Sequence, residues 1–321
     1  MLNLLLPLVV WLSASPSVVC DVIDAGSFQR AASASATQDV TLFVHGQIAI
    51  ESVYFPKSTH VVRVIGVGNQ PEVRFTKSWN GNWNQPFVGS NGLEFNCRQV
   101  VITGLIFRDW DWQGAAIKLH GPESVVISGC TFQNISKKVY APRVVPSVSS
   151  SDIWLVQVLA GWGDVLTISN CRFQDCAVSN GIWNHCIYLS ANKSLVVANN
   201  TFEGCGSAVS LSGVFGASYT IVGNQYRYPV PTPQRSGPFL PAWEYLSACD
   251  FVSVGNSYSG VMNMLYYGSL GQAVVDWNDY ERLSVLGSTT IGESGVGYHS
   301  WEWWVAHGFD MHSKSPTTRP G

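Results

Sequence analysis

Leu166-Thr-Ile-Ser-Asn-Cys-Arg-Phe173 is answered 29 residues later by Leu195-Val-Val-Ala-Asn-Asn-Thr-Phe202. Each phrase is a β-favouring run broken at Asn170 or Asn199 and resumed at an aromatic. It occurs upstream as Val100-Val-Ile-Thr-Gly-Leu-Ile-Phe107 and Val125-Val-Ile-Ser-Gly-Cys-Thr-Phe132. Downstream it returns as Tyr219-Thr-Ile-Val-Gly-Asn-Gln-Tyr226, Phe251-Val-Ser-Val-Gly-Asn-Ser-Tyr258 and Ala273-Val-Val-Asp-Trp-Asn-Asp-Tyr280. Spacings of 25, 41, 29, 24, 32 and 22 residues mark a solenoid, whose units bury their apolar faces only against their neighbours.

Each copy reads as a strand, a tight turn and a second short strand. Gly104, Gly129, Asn170, Asn199, Gly223 and Gly255 tolerate the left-handed backbone of a sharp corner. With copies stacked at the strand separation of about 4.8 Å, Asn200, Asn224, Asn256 and Asn278 form an internal ladder. Phe107, Phe132, Phe173, Phe202, Tyr226, Tyr258 and Tyr280 form an aromatic stack. A third strand follows in Ala116-Ile-Lys-Leu-His120, Cys186-Ile-Tyr-Leu-Ser190 and Ala208-Val-Ser-Leu-Ser212, and less regularly in Trp243-Glu-Tyr-Leu-Ser247 and Met264-Leu-Tyr-Tyr-Gly268. Three short strands per coil define an all-β chain, a parallel β-helix.

The chain resembles the right-handed parallel β-helix repeat proteins of the pectate-lyase-like superfamily. Asn184-His-Cys-Ile-Tyr-Leu-Ser190 followed by Leu195 to Phe202 looks like a common repeat pair of that superfamily. The segment from Asn278-Asp-Tyr280 through Ser300-Trp301 to Gly308-Phe-Asp-Met-His-Ser313 is similar to a closing segment of many bacterial members. The resemblance covers about residues 40–313 and implies a single-stranded right-handed solenoid with polysaccharide as its substrate class. The paired-Asp and Gly-His-Gly signatures of the polygalacturonase branch are not found. Nor is a clear calcium-binding carboxylate cluster or Arg motif of the pectate lyases, or the Tyr/Asp/His pattern of alginate epimerases. The resemblance therefore implies no particular reaction.

Residues 1–20 are expected to be a signal peptide, with an apolar core at Leu4 to Leu12 and cleavage after Ser17 or Cys20. Residues 21–313 are expected to be the capped β-helix, and 314–321 a disordered tail. No later run is long and apolar enough for a membrane helix, so the mature chain is expected to be secreted and monomeric. Phe28 to Ala36 is expected to give an N-terminal capping helix, and Tyr298-His-Ser-Trp-Glu-Trp-Trp304 a C-terminal one. A net charge of −3 lacks the basic footprint of a nucleic-acid binder.

Asn134 and Asn192 head acceptor sequons for glycosylation in a eukaryotic secretory pathway; Asn199 is equally a corner residue. Cys176 and Cys205 hold the same place in adjacent coils, within reach of a disulfide that export permits. The alternative is a ladder of reduced thiols, which also holds for Cys130 and Cys171. No Cys/His spacing suggests a metal site.

Insertions at Arg108-Asp-Trp-Asp-Trp-Gln113, Gln133 to Ser151, Asp175 to Asn184 and Tyr226 to Ala242 all leave the stack between the aromatic and the third strand. They wall one side of the third sheet, and loops grouped on one face are where function collects. Alternation turns Lys118, His120, Tyr188, Ser190, Ser210 and Ser212 outward there. His185 enters the same sheet, and Arg108, Asp109 and Asp111 are expected to overhang it.

A uronate lyase must neutralise a carboxylate, take the C5 proton and protonate the leaving oxygen. Lys, Arg, His and Tyr, often helped by calcium, suit that chemistry. Lys118 and His185 are the candidate base and acid, with His120 nearby, Tyr188 assisting and Arg108 neutralising the acidic glycan. A hydrolase would need two carboxylates, one protonated, for which Asp109 and Asp111, two residues apart, are the candidate pair. Trp110, Trp112, Trp154, Trp162 and Trp183 offer sugar-stacking surfaces on the loops, the first two beside Asp109 and Asp111. A non-catalytic carbohydrate-binding protein, needing only aromatics, and an adhesin-like stalk, needing neither, remain the alternatives.

Overall fold

The computed structural model describes residues 17–76, 91–110, 114–135, 156–177, 185–205, 208–227, 249–262, 265–267, 272–283, 286–288, 297–306 and 308–313. The chain begins with β1 (Ser17–Val22), α1 (Ala25–Ala34), β2 (Asp39–Ile50), β3 (Val53–Phe75) and β4 (Leu93–Thr103). Next come β5 (Ile106–Arg108), β6 (Gly114–His120), β7 (Ser124–Ser128), β8 (Thr131–Gln133), β9 (Val156–Ser169), β10 (Arg172–Gln174), β11 (Ile187–Ala198) and β12 (Thr201–Glu203). Then follow β13 (Val209–Ser212), β14 (Ser218–Val222), β15 (Gln225–Arg227), β16 (Asp250–Val254), β17 (Ser257–Met262), β18 (Leu265–Tyr267), β19 (Ala273–Asp276) and β20 (Asp279–Leu283). β21 (Leu286–Ser288), β22 (Gly297–His299) and α2 (Trp301–Ala306) close it.

Apart from β22, which runs antiparallel to β21, strands pair in parallel with their equivalents one coil away, and three long runs form. The repeated phrase makes the first, through β2, β3, β4, β7, β9, β11, β14, β16 and β19. Its register stacks Ile102, Ile127, Ile168, Val197, Ile221, Ser253 and Val275 in one buried column. The aromatic segments make the second, through β3, β5, β8, β10, β12, β15, β17 and β20. The third runs through β3, β4, β6, β9, β11 and β13.

Side-chain ladders hold the coils in register. Ring centroids from Phe107 to Tyr280 lie 4.5–5.2 Å apart, with planes within 12°. The amide of Asn200 donates to Asn224 Oδ1 at 3.0 Å, Asn224 to Asn256 at 3.0 Å, and Asn256 to Asn278 at 3.1 Å. Asp310 takes the next place, accepting from Asn278 at 3.0 Å. Fully buried amides are tolerated because each is bonded; leaving one unmet costs about 1–3 kcal/mol.

The caps differ in detail from expectation. α1 starts at Ala25, earlier than the sequence suggests, because Asp24 accepts from Ser27 N at 2.6 Å in a capping box. Phe28 then packs edge-on against Phe55 at 6.1 Å. α2 is short, with Trp301 edge-on to Tyr280 at 5.7 Å and Trp304 Nε1 donating to Asp310 at 2.9 Å. β1 pairs with β2, so cleavage after Cys20 would remove most of a strand.

The Cys176–Cys205 bridge is not formed. All the cysteines are free thiols, and Cys176 and Cys205 donate instead to Phe132 O and Phe173 O, each at 3.4 Å. Burial pushes the Cys176 and Cys186 thiols well up, so they pack as small apolar groups. Among the described residues no helix is long and apolar enough to cross a membrane. Most of the expected leader, the cores of the two longest insertions and the tail 314–321 lie outside the described residues.

Candidate functional site

Alternation on the third sheet gives its outer face two adjacent columns. In the first, Tyr54, Glu94, Lys118, Ala160, Tyr188 and Ser210 are direct neighbours, strand by strand. In the second, His120, Trp162, Ser190 and Ser212 are neighbours. Lys118 and Tyr188 are thus two coils apart, as the repeat spacing implies, with the small Ala160 between them.

Glu94 ties the charged end together. Its Oε1 lies 2.8 Å from His120 Nε2, and its Oε2 accepts from Asn91 Nδ2 at 2.8 Å. Asn91 is itself fixed, accepting from Ala115 N at 3.0 Å. Beyond Glu94, Asn96 Nδ2 reaches the Tyr54 hydroxyl at 3.4 Å. Burial lowers the Lys118 pKa against the opposing pull of Glu94, so its amine is more readily a base than a free lysine.

Aromatic rings flank this cluster. Trp162 is 47% exposed and meets His120 edge-on at 5.6 Å; Tyr54 is 47% and Tyr188 38% exposed. Gly121 makes room for Trp162, and Gly161 for the close approach of Leu119. A Cβ at Gly121 would stand 2.8 Å from the Trp162 Nε1, and one at Gly161 would stand 2.1 Å from Leu119 O.

The other expected site residues are placed differently. His185 is buried, stacked 5.6 Å beneath Tyr188, and burial lowers its pKa to about 4. It is a neutral shelf for the tyrosine ring and not a proton donor on the face. Arg108 lies on the second sheet, where Gln133 accepts from it and Glu72 Oε2 sits 3.3 Å from its Nε. Asp109 pairs with Arg74 at 2.9 Å. Both charges are spent between coils.

Trp110 is fully buried, edge-on to Phe75 at 5.3 Å, so it is core and has no face for a sugar. Asp111, Trp112, Trp154 and Trp183 lie outside the described residues. Asn192 is exposed and donates to Asp164 at 3.0 Å, whereas Asn134 stands at a corner with φ 55°.

Glu94 was legible only with difficulty. Leu93-Glu-Phe-Asn-Cys97 alternates as the third strands do, and aligning it with Ile117-Lys-Leu-His120 sets Glu94 beside Lys118. Among the described residues no group of three or more His, Cys, Asp or Glu side chains could hold a metal ion.

Residues 80–227 match a family model described as a right handed beta helix region. The match takes in most of this face, including Glu94, Lys118, His120, Trp162 and Tyr188. No curated protein matches the chain.

Proposed function

We propose that the chain is a secreted, single-stranded right-handed β-helix protein that grips an acidic polysaccharide on the outer face of its third sheet and cleaves it by β-elimination. One observation carries the reading: Glu94, Lys118 and His120 cluster between exposed Tyr54 on one side and Trp162 and Tyr188 on the other.

The Lys118 amine takes the C5 proton of a uronate. The released electron pair forms the C4–C5 double bond as the C4–O bond breaks, and the leaving oxygen takes a proton from the Tyr188 hydroxyl. His120, on the same strand as Lys118 and with Nε2 2.8 Å from Glu94 Oε1, contacts the uronate carboxylate. Glu94 holds His120 in place. Calcium, often a helper in this chemistry, has no such ligand group here among the described residues.

The aromatic rings favour a second reading, a binding protein without turnover. The two part on one experiment, with purified protein mixed with pectate, alginate and glycosaminoglycans, with calcium present and after its removal. A rise in ultraviolet absorbance from the unsaturated product supports the lyase. A flat trace with retardation in polysaccharide gels, weakened about tenfold by Trp162→Ala, leaves binding alone. Neither absorbance nor retardation would overturn both.

A further inference from the structure

The last copy of the repeat breaks the rule of the other six. Their corners, Gly104, Gly129, Asn170, Asn199, Gly223 and Gly255, hold φ between 54° and 66°, and in the seventh the same place is taken by Trp277 at φ 58°. Left-handed backbone is strained for a bulky L-residue, relaxed for glycine and eased for asparagine. The core does not require the indole, since Trp277 is 65% exposed. Strain kept under a solvent-facing aromatic is a mark of function.

The ring is also held rigidly. It stacks on His312 with centroids 4.6 Å apart and planes 8° from parallel. Asp276 fixes both partners: Oδ1 accepts from Trp277 N at 2.9 Å and from His312 N at 2.7 Å, and Oδ2 lies 2.6 Å from His312 Nδ1. Burial opposes ionisation of Asp276, yet the His312 and Trp277 donors hold its carboxyl below the usual range. With Nδ1 engaged by Asp276, the half-exposed imidazole leaves Nε2 for a further hydrogen bond.

We infer that Trp277, His312 and Asp276 form a second glycan subsite at the C-terminal end of the stack, seating one pyranose with its C–H face on the indole and a hydroxyl on His312 Nε2. An apolar plane with a polar rim suits a sugar ring. The subsite rests on the reading of the chain as glycan-engaging, but lies at the corner between β19 and β20, whereas Lys118 is on the third sheet.

Affinity electrophoresis in gels of pectate, alginate and hydroxyethyl cellulose tests it, run well below the thermal midpoint. Trp277→Gly and Trp277→Asn suit the corner, so their midpoints are expected to hold or rise by about 2 °C. Their affinity for the retarding polysaccharide is expected to weaken about fivefold, with Trp277→Phe close to wild type. Unchanged affinity in the glycine and asparagine variants, or weakening that phenylalanine does not rescue, overturns the subsite. A lowered midpoint with full affinity would instead make Trp277 a pin for the terminal segment. If Trp162→Ala weakens retention and Trp277→Gly does not, the subsite alone falls; if no gel retards the wild type, both readings fall.

Discussion

A neutral imidazole buried beneath Tyr188 ties stability to pH. The His185 pKa falls from 6.5 to about 4 on folding, so between those values the unfolded chain binds the proton that the folded chain refuses. Stability contributed by the neutral ring is therefore full above pH 6.5 and lost as pH drops towards 4, a difference of about 3 kcal/mol. His185→Gln is expected to flatten that acid limb in urea titrations across this range. An unaltered limb would mean the ring is solvated. The sequence reading has this side chain entering the third sheet, and it lies just ahead of β11; its depth was not legible, because burial depends on how Tyr188 stacks over it. Trp110 shows the same limit: an aromatic in an insertion reads as surface, and only the packing against Phe75 shows it to be core. Trp110→Ala is expected to cost about 3–5 kcal/mol on thermal unfolding while leaving glycan affinity unchanged well below the midpoint.

Among the elements, the asparagine ladder and the aromatic stack were fully legible, since each is a column of one residue type at a repeated place in the phrase. β3 was not, because one strand of 23 residues serves all three sheets and hides the break between coils. Asp310 was equally hidden: it continues the ladder from a segment that carries no copy of the phrase. Asn224 both donates to Val197 O and Asn256 and accepts from Asn200, so Asn224→Ala strands partners on both sides. It is expected to cost about 3 kcal/mol in chemical denaturation, with Asn224→Asp costing at least as much, since a buried carboxylate would face the Val197 and Asn256 oxygens. A loss under about 0.5 kcal/mol would show that water replaces the amide.

At the scale of the molecule, each coil is stabilised by its neighbours, so damage at one end should stay there. Asp310 accepts from Asn278, Tyr280, Trp304 and Ser313, while burial pushes its carboxyl up. Asp310→Ala is expected to raise hydrogen exchange in β16 to β20 and leave β2 to β4 protected; uniform exchange would argue for one all-or-none unit. The stack itself is a scaffold, and what it delivers is a line of side chains from several coils on one face. The claim that this face performs chemistry is tested most directly by the initial rate of unsaturated-product formation, read by ultraviolet absorbance, for the wild type and Lys118→Met on the polysaccharide that the protein retains best. The account predicts a measurable wild-type rate and a fall of about 100-fold or more in the variant, with retention little changed. Equal rates for the two proteins, or no product from either, would contradict it.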